Sequence, residues 1–323
     1  MTKGAGNRQW TFEEALAVVC DMNQKLSRAV ITFLSGAGRS EVKRFADCWR
    51  QMSPNRRREL ITAMAEMAEA DFQLDYNAIF RWALRAEDSM VRERAVEGLW
   101  EDDEPSLIEP LVHLMLEDPE PAVRSRAAMS LGRFALLAEL GDISEGYGAR
   151  VQDGLLQVVD NREEEPEVRR RAIESVAYLS SAPVRKIIDD AYAAADEKMR
   201  LSAVYAMGRT ADTHWAEPVL NELKAESPAM RYEAARAAGE IALRSAVGDL
   251  IALLNDRDGE VRQMAIWALG QVGGPQARRA LEVCQTSPDE AMRDAADEAL
   301  GELDFASAPL DMFYYEGNGP DSG

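Results

Sequence analysis

Residues 261–270 read Val-Arg-Gln-Met-Ala-Ile-Trp-Ala-Leu-Gly, and six other stretches of the chain carry the same skeleton. The copies are marked by Val91-Arg92, Val123-Arg124, Val168-Arg169, Met199-Arg200, Met230-Arg231, Val261-Arg262 and Met292-Arg293. From Arg169 to Arg293 the arginines recur every 31 residues. A unit of this size buries its apolar face only against its neighbours, so a fixed period predicts a stacked solenoid rather than a globule built round one pocket.

The rest of each copy explains the period. Three residues after the arginine stands Ala95, Ala127, Ala172, Ala203, Ala234, Ala265 or Ala296. Seven after it stands Leu99, Leu131, Val176, Met207, Ala238, Leu269 or Leu300, which completes one apolar helical stripe. Eight after it comes Gly132, Gly208, Gly239, Gly270 or Gly301, with Trp100 and Ala177 as exceptions, suiting a helix end or a close backbone crossing. Four before it an acid or Ser227 precedes, in three copies, Pro121, Pro166 or Pro228; this is the chemistry of a helix start. A second amphipathic run follows each such A helix, as in Val247, Leu250, Ile251 and Leu254. Each unit is therefore expected to be an antiparallel pair of helices, A and B.

The phrase V-R-x-x-A-x-x-A-L-G, nearly whole at Val261 to Gly270, resembles the HEAT-like repeat of the phycobilisome-lyase type, and residues 87–303 carry it. The signatures of tetratricopeptide and ankyrin repeats are absent. The resemblance implies an all-α solenoid of about seven helix pairs. Proteins built from such repeats include bilin lyase subunits, an iron-dependent hydroxylase, glycosylases and plain scaffolds. The hydroxylase holds iron with His-Glu dipeptides, whereas His113 is followed here by Leu114 and His214 by Trp215. No metal or cofactor is expected, and zinc would need clustered ligands that three scattered cysteines and two distant histidines do not supply. Nucleotide and hydrolase motifs are missing as well.

Residues 1–85 depart from the repeat and are expected to form a helical cap. The apolar residues from Phe12 to Phe33 predict one long helix after a Thr11/Glu14 capping box, and Ser53-Pro54 opens another whose Arg57, Leu60 and Met64 suggest a decayed first repeat. The run Arg56-Arg57-Arg58 reads as a solvated face or an anion contact. Residues 86–303 are the solenoid proper, and 304–323 an acidic, aromatic tail. The polar start of the chain and the lack of a long apolar run predict a soluble cytoplasmic protein without a membrane span. Cys20, Cys48 and Cys284 read as reduced core thiols.

Charge is unevenly spread. Residues 1–85 carry a net +3 and residues 86–323 a net −23, of which 14 sit in the loops leading into the A helices. Equivalent loops of a solenoid align, so these acids predict a negative edge, densest at Glu163, Glu164, Glu165 and Glu167. It serves either to cap helices and keep the chain soluble or to dock a basic protein partner. The B-helix face presents His113, Asp189 and Asn221 in a mixed row without the cationic track that nucleic acid requires. The 45-residue gap from Arg124 to Arg169 implies a lengthened A helix through Phe134 to Leu140 and a loop with Gly141, Gly146, Tyr147 and Gly148. In the tail Leu310, Met312, Phe313 and Tyr314 are either a recognition motif or a strap over the last repeat. The sequence thus points to a non-catalytic protein-interaction scaffold, with a bilin lyase or lyase-like chaperone subunit as the alternative; it does not reveal an oligomeric state.

Overall fold

The computed structural model describes residues 10–307, and every regular element among them is a helix. Two compact units divide the chain, Met1–Ile187 and Ile188–Gly323. The first begins with α1 (Phe12–Cys20), α2 (Arg28–Ile31) and α3 (Arg39–Trp49). Then A and B helices alternate: α4 (Pro54–Ala70), α5 (Asn77–Ala83), α6 (Ser89–Gly98), α7 (Ile108–Glu117), α8 (Pro121–Leu140), α9 (Glu145–Asp160) and α10 (Pro166–Val176). The unit boundary falls within α11 (Ala182–Tyr192). The second unit continues with α12 (Glu197–Arg209), α13 (Ala216–Glu222), α14 (Pro228–Glu240), α15 (Val247–Leu253), α16 (Gly259–Val272), α17 (Gly274–Cys284) and α18 (Glu290–Ser307).

Within each unit the A helices pack side by side. In the first, α4 lies on α6, α6 on α8 and α8 on α10; in the second, α12, α14, α16 and α18 follow one another. B helices form the other layer, with α7 against α9 and α15 against α17. This is the α-solenoid that the period predicts. The helix starts also fall as expected: Asp88 accepts from the Met90 N–H, Asp196 from Met199 and Asp258 from Glu260 and Val261, while Pro121, Pro166 and Pro228 open their helices. All seven stripe alanines are buried. Their smallness lets neighbouring A helices approach, and the glycines let them approach further: a Cβ on Gly208 would sit 2.9 Å from the Ala237 Cα. Close crossing is therefore the reason for glycine at Gly208, Gly239 and Gly270, since each faces backbone or Cβ atoms of the next A helix.

The recurring arginine ties one repeat to the next. Arg92 donates through Nε and Nη2 to both carboxylate oxygens of Asp118, at 2.6 and 2.8 Å, and through Nη1 to the Ala86 and Glu87 carbonyls. Arg231 repeats the arrangement with Asp256 and the Ala225 and Glu226 carbonyls. Arg124 reaches Glu164 and the Asp118 carbonyl, and Arg262 reaches Asp289 and the Asp256 carbonyl. A planar fork with five donors suits this task, because it serves loop carbonyls and a carboxylate together. In these four copies the residue that sets the period thus satisfies the turn before its own helix and grips an acid of the next repeat, while Arg169 and Arg293 reach the Val159 and Ser287 carbonyls.

Four sequence expectations are corrected. The long N-terminal helix stops at Asp21, whose carboxylate accepts from the Asn23 N–H, the Asn23 amide and the Gln24 amide and so turns the chain before α2. The arginine run is a solvated face only at Arg58, and the other two are held within the fold. Arg56, buried, donates to the Val19 and Asp21 carbonyls at the end of α1; Arg57 donates to the Trp49 and Arg50 carbonyls at the end of α3; Arg58 pairs with Asp88. Successive residues on α4 point in different directions, and here each direction meets a helix end. Cys20 and Cys48 are joined as a disulfide, with Cα atoms 5.7 Å apart, because α1 and α3 pack together at the ends that carry them. Cys284 alone is free, and burial pushes its thiol up. Lastly, Gly146, Tyr147 and Gly148 do not lie in a loop: α8 does extend to Leu140 and stops at Gly141 in the left-handed conformation, but Ser144 then starts α9.

The decayed first repeat has a structural counterpart in α4, which stands in the A row beside α6 with Leu60 and Met64 fully buried. No described helix is long and apolar enough to cross a membrane.

Candidate functional site

Of the four acids at the densest part of the expected edge, two are engaged within the fold. Glu164 receives the ladder arginine Arg124 at 2.7 Å, with both side chains mostly buried. Glu167 takes Arg170 at 2.6 Å and Arg171 at 2.8 Å across the first turns of α10. Glu163 and Glu165 remain exposed, and no ion pair holds their side chains among the described residues. Other edge acids are absorbed in the same way: Asp88, Asp196 and Asp258 as helix caps, Asp118 and Asp256 as ladder acceptors.

The B-face residues are placed outward. His113 is exposed on α7, beside the Glu109–Arg150 pair that links α7 to α9, and Tyr147 is half-exposed in the first turn of α9. Arg150 holds the Glu109 carboxyl below its ordinary range. In the second unit Asp189 and Asn221 are exposed on α11 and α13. Near them the Tyr192 hydroxyl donates to Glu222 at 2.8 Å, and burial followed by that bond pushes its pKa up to about 12. Phe313 and Tyr314, with Leu310 and Met312, lie outside the described residues. Among the described residues no group of three or more His, Cys, Asp or Glu could hold a metal ion.

One surface was not singled out by sequence reasoning. Helix α8 has 20 residues, against 10 in α6 and 11 in α10 on either side of it. Met129, Arg133, Leu136 and Leu140 follow helical spacing down one face of it, and Met129, Leu136 and Leu140 are 51%, 40% and 65% exposed. Trp100, 47% exposed just beyond α6, lies next to Met129: both line a groove of about 430 Å³ floored by Ala65 and Val96. A second groove of about 510 Å³ continues past Met129 towards Arg171 of α10. The signal was present in the sequence as Trp100 standing where five of the other six copies have glycine, and as the 129, 136, 140 spacing.

Comparison with known proteins bears on the repeats. Residues 77–143 and 216–301 match the family model for HEAT repeats. The two segments are similar to HEAT repeats and together make up just under half of the chain. Nothing in that match singles out the phycobilisome-lyase type. Among solved structures the chain is similar to yeast importin-β (Kap95p), with a TM-score of 0.53 and 15% identity over 94% of this chain and 47% of that one. It is also similar to Kap95 in the Kap95:Nup1 complex, with a TM-score of 0.51 and 15% identity over 91% of this chain and 46% of that one. This chain thus spans just under half the length of the importin-β structures, and the likeness is one of fold. No curated protein matches the sequence.

Proposed function

We propose that the chain is a non-catalytic scaffold that binds another protein, and that its partner is basic. The observation that carries this reading is the stack of HEAT repeats, in which the period-setting residues are consumed by packing while a large helical surface is left outward. Solenoids of this kind present extended surfaces rather than a single pocket. Kap95, built on the same fold, is seen in a complex with Nup1. Acidity supports the sign of the partner, since a net charge of −20 attracts a cationic surface and steers its approach. Glu163 and Glu165 are exposed acids of the edge, and His113 and Tyr147 in the first unit, like Asp189 and Asn221 in the second, offer adaptable polar contacts.

Affinity isolation of the full chain from its source cells, with protein stoichiometry measured, tests the reading. A stoichiometric protein partner is expected, retained less well when Glu163→Lys and Glu165→Lys are combined. Turnover of a small molecule or transfer of a chromophore by the purified chain would overturn it.

A further inference from the structure

The overhang of α8 has no counterpart in its neighbours. The A helices on either side stop about where Gly132 stands in α8, so Leu136 and Leu140 project past both; α9 backs the overhang on another side, where a Cβ on Gly148 would lie 3.0 Å from the Ala138 Cβ. What remains uncovered is a stripe from Met129 to Leu140, about 16 Å long at 1.5 Å per residue, flanked at its lower end by Trp100 and the groove over Ala65 and Val96. Four of the ten large apolar side chains exposed on the described surface belong to this region: Trp100, Met129, Leu136 and Leu140. Scattered exposed apolar residues need no explanation, whereas a contiguous row on one helix does.

The frame around the row is net acidic, although Glu97 is paired with Arg94 and Asp103 with Arg133. Glu69 and Glu97 line the groove, Glu101 and Asp103 follow Trp100, and Asp142 follows the end of α8. The two arginines among them are already occupied. Arg126 lies 3.7–3.8 Å from Glu93 and Glu97, and Arg133 meets Asp103 at 2.8 Å while donating to the Leu99, Trp100 and Asp102 carbonyls. The carboxyl-terminal end of α8 adds the negative pole of its helix dipole beside Leu140. An apolar strip about three turns long in an acidic surround complements one kind of ligand. We infer that this face docks a basic amphipathic α-helix of a partner protein, whose apolar side lies along Met129, Leu136 and Leu140 with an anchor against Trp100, and whose lysines or arginines meet the surrounding carboxylates. The inference rests on the scaffold reading and names the partner's form and its place of docking.

Fluorescence anisotropy with the full chain and three labelled synthetic peptides tests it: an 18-residue amphipathic helix of leucine and lysine, its leucine and glutamate counterpart, and a scrambled leucine and lysine sequence. The ordered basic helix is expected to bind one per chain and at least about tenfold more tightly than the other two, because shape and charge are both required. Leu136→Glu with Leu140→Glu should weaken it by about tenfold or more, while Val283→Glu, placed on an apolar side chain 70% exposed on α17, should leave it unchanged. Unchanged far-ultraviolet circular dichroism and melting of the double variant show that the fold is intact, as its exposed positions lead one to expect. Equal binding of the scrambled or acidic peptide, equal weakening by Val283→Glu, or no binding at all would overturn the inference. So would a dimer in sedimentation velocity that Leu140→Glu converts to a monomer, since the stripe would then belong to a second copy. If the chain isolated from cells keeps its partner despite Leu136→Glu and Leu140→Glu, the docking face is refuted and the scaffold reading survives; if the unaltered chain holds no protein partner, the scaffold reading itself falls.

Discussion

Replacing Arg231 by methionine should cost far more stability than its place on a solvent-facing repeat suggests. Its guanidinium is 17% exposed and Asp256 opposite it 7%, and they share two hydrogen bonds of 2.7 and 2.8 Å. The same group also holds the Ala225 and Glu226 carbonyls, at 2.9 and 2.8 Å. Methionine keeps much of the packing volume but leaves the Asp256 carboxylate with backbone N–H donors alone, from Asp258 and Arg257. Breaking one side of a buried pair costs about 3–5 kcal/mol, chiefly because the remaining charge is stranded. Adding Asp256→Asn should therefore recover about 1–2 kcal/mol, since a neutral amide can stay buried with those bonds. The control is Arg28→Met. Arg28 pairs with Glu66 in the open, at 62% and 54% exposure, where such pairs contribute about 0–1 kcal/mol. Equilibrium urea denaturation followed by helical circular dichroism measures all three. Should Arg231→Met cost no more than Arg28→Met, the ladder does not hold the repeats together and the reason given for the period is wrong.

The remaining expectations concern other parts of the fold. Gly208→Ala should destabilise by about 1–3 kcal/mol despite alanine's better helix propensity, because its Cβ would meet Ala237 backbone at 2.9 Å, whereas Gly248→Ala, with nothing within 4 Å, should be neutral or stabilising by up to about 1 kcal/mol in the same denaturation assay. Alkylation of freshly isolated, unfolded chain should find a single free thiol, Cys284; three would mean that Cys20 and Cys48 are reduced and would favour the reducing cytoplasm that the sequence suggested. Closing 28 residues with that disulfide should add about 3.5 kcal/mol on the chain-entropy relation, lost in Cys20→Ser/Cys48→Ser and in reductant alike. The Asp256 carboxyl is held below its ordinary range first by the Arg231 hydrogen bond, so its folded pKa lies under the unfolded value of about 3.9. Its contribution should be complete above about pH 4 and fade as pH falls through the folded value, and Asp256→Asn should flatten that acid limb of the stability curve.

The A helices were legible because their pattern is local: an acid or serine, a proline, an arginine, an alanine and a leucine at fixed offsets determine start, stripe and neighbour. Even α4 could be read, since Arg57, Leu60 and Met64 keep the spacing of the repeat although leucine stands where the other copies have alanine. The misreadings have other causes. The three destinations of Arg56, Arg57 and Arg58 depend on which helix ends lie nearby, and no spacing along the chain encodes that, whereas the local Asp21-Asn23-Gln24 turn was outweighed by the apolar spacing that runs through it. The Cys20–Cys48 bond likewise depends on α1 folding back on α3. At the candidate site, counting acids revealed the charge of the edge but not that Glu164 and Glu167 are held by Arg124, Arg170 and Arg171. The insertion was visible by its length, while the exposure of Leu136 and Leu140 emerged only once the neighbouring helices were seen to end short of them.

Hydrogen–deuterium exchange of the full chain, alone and with the partner isolated at stoichiometric amount, tests the scaffold most directly. Protection on binding is expected at exposed surface, in α8 around residues 129–140 and in the loop holding Glu163 and Glu165, with the buried A-helix stripe unchanged and the partner's mass unaltered. A covalently modified partner, or a complex in which no surface of this chain gains protection, would contradict it.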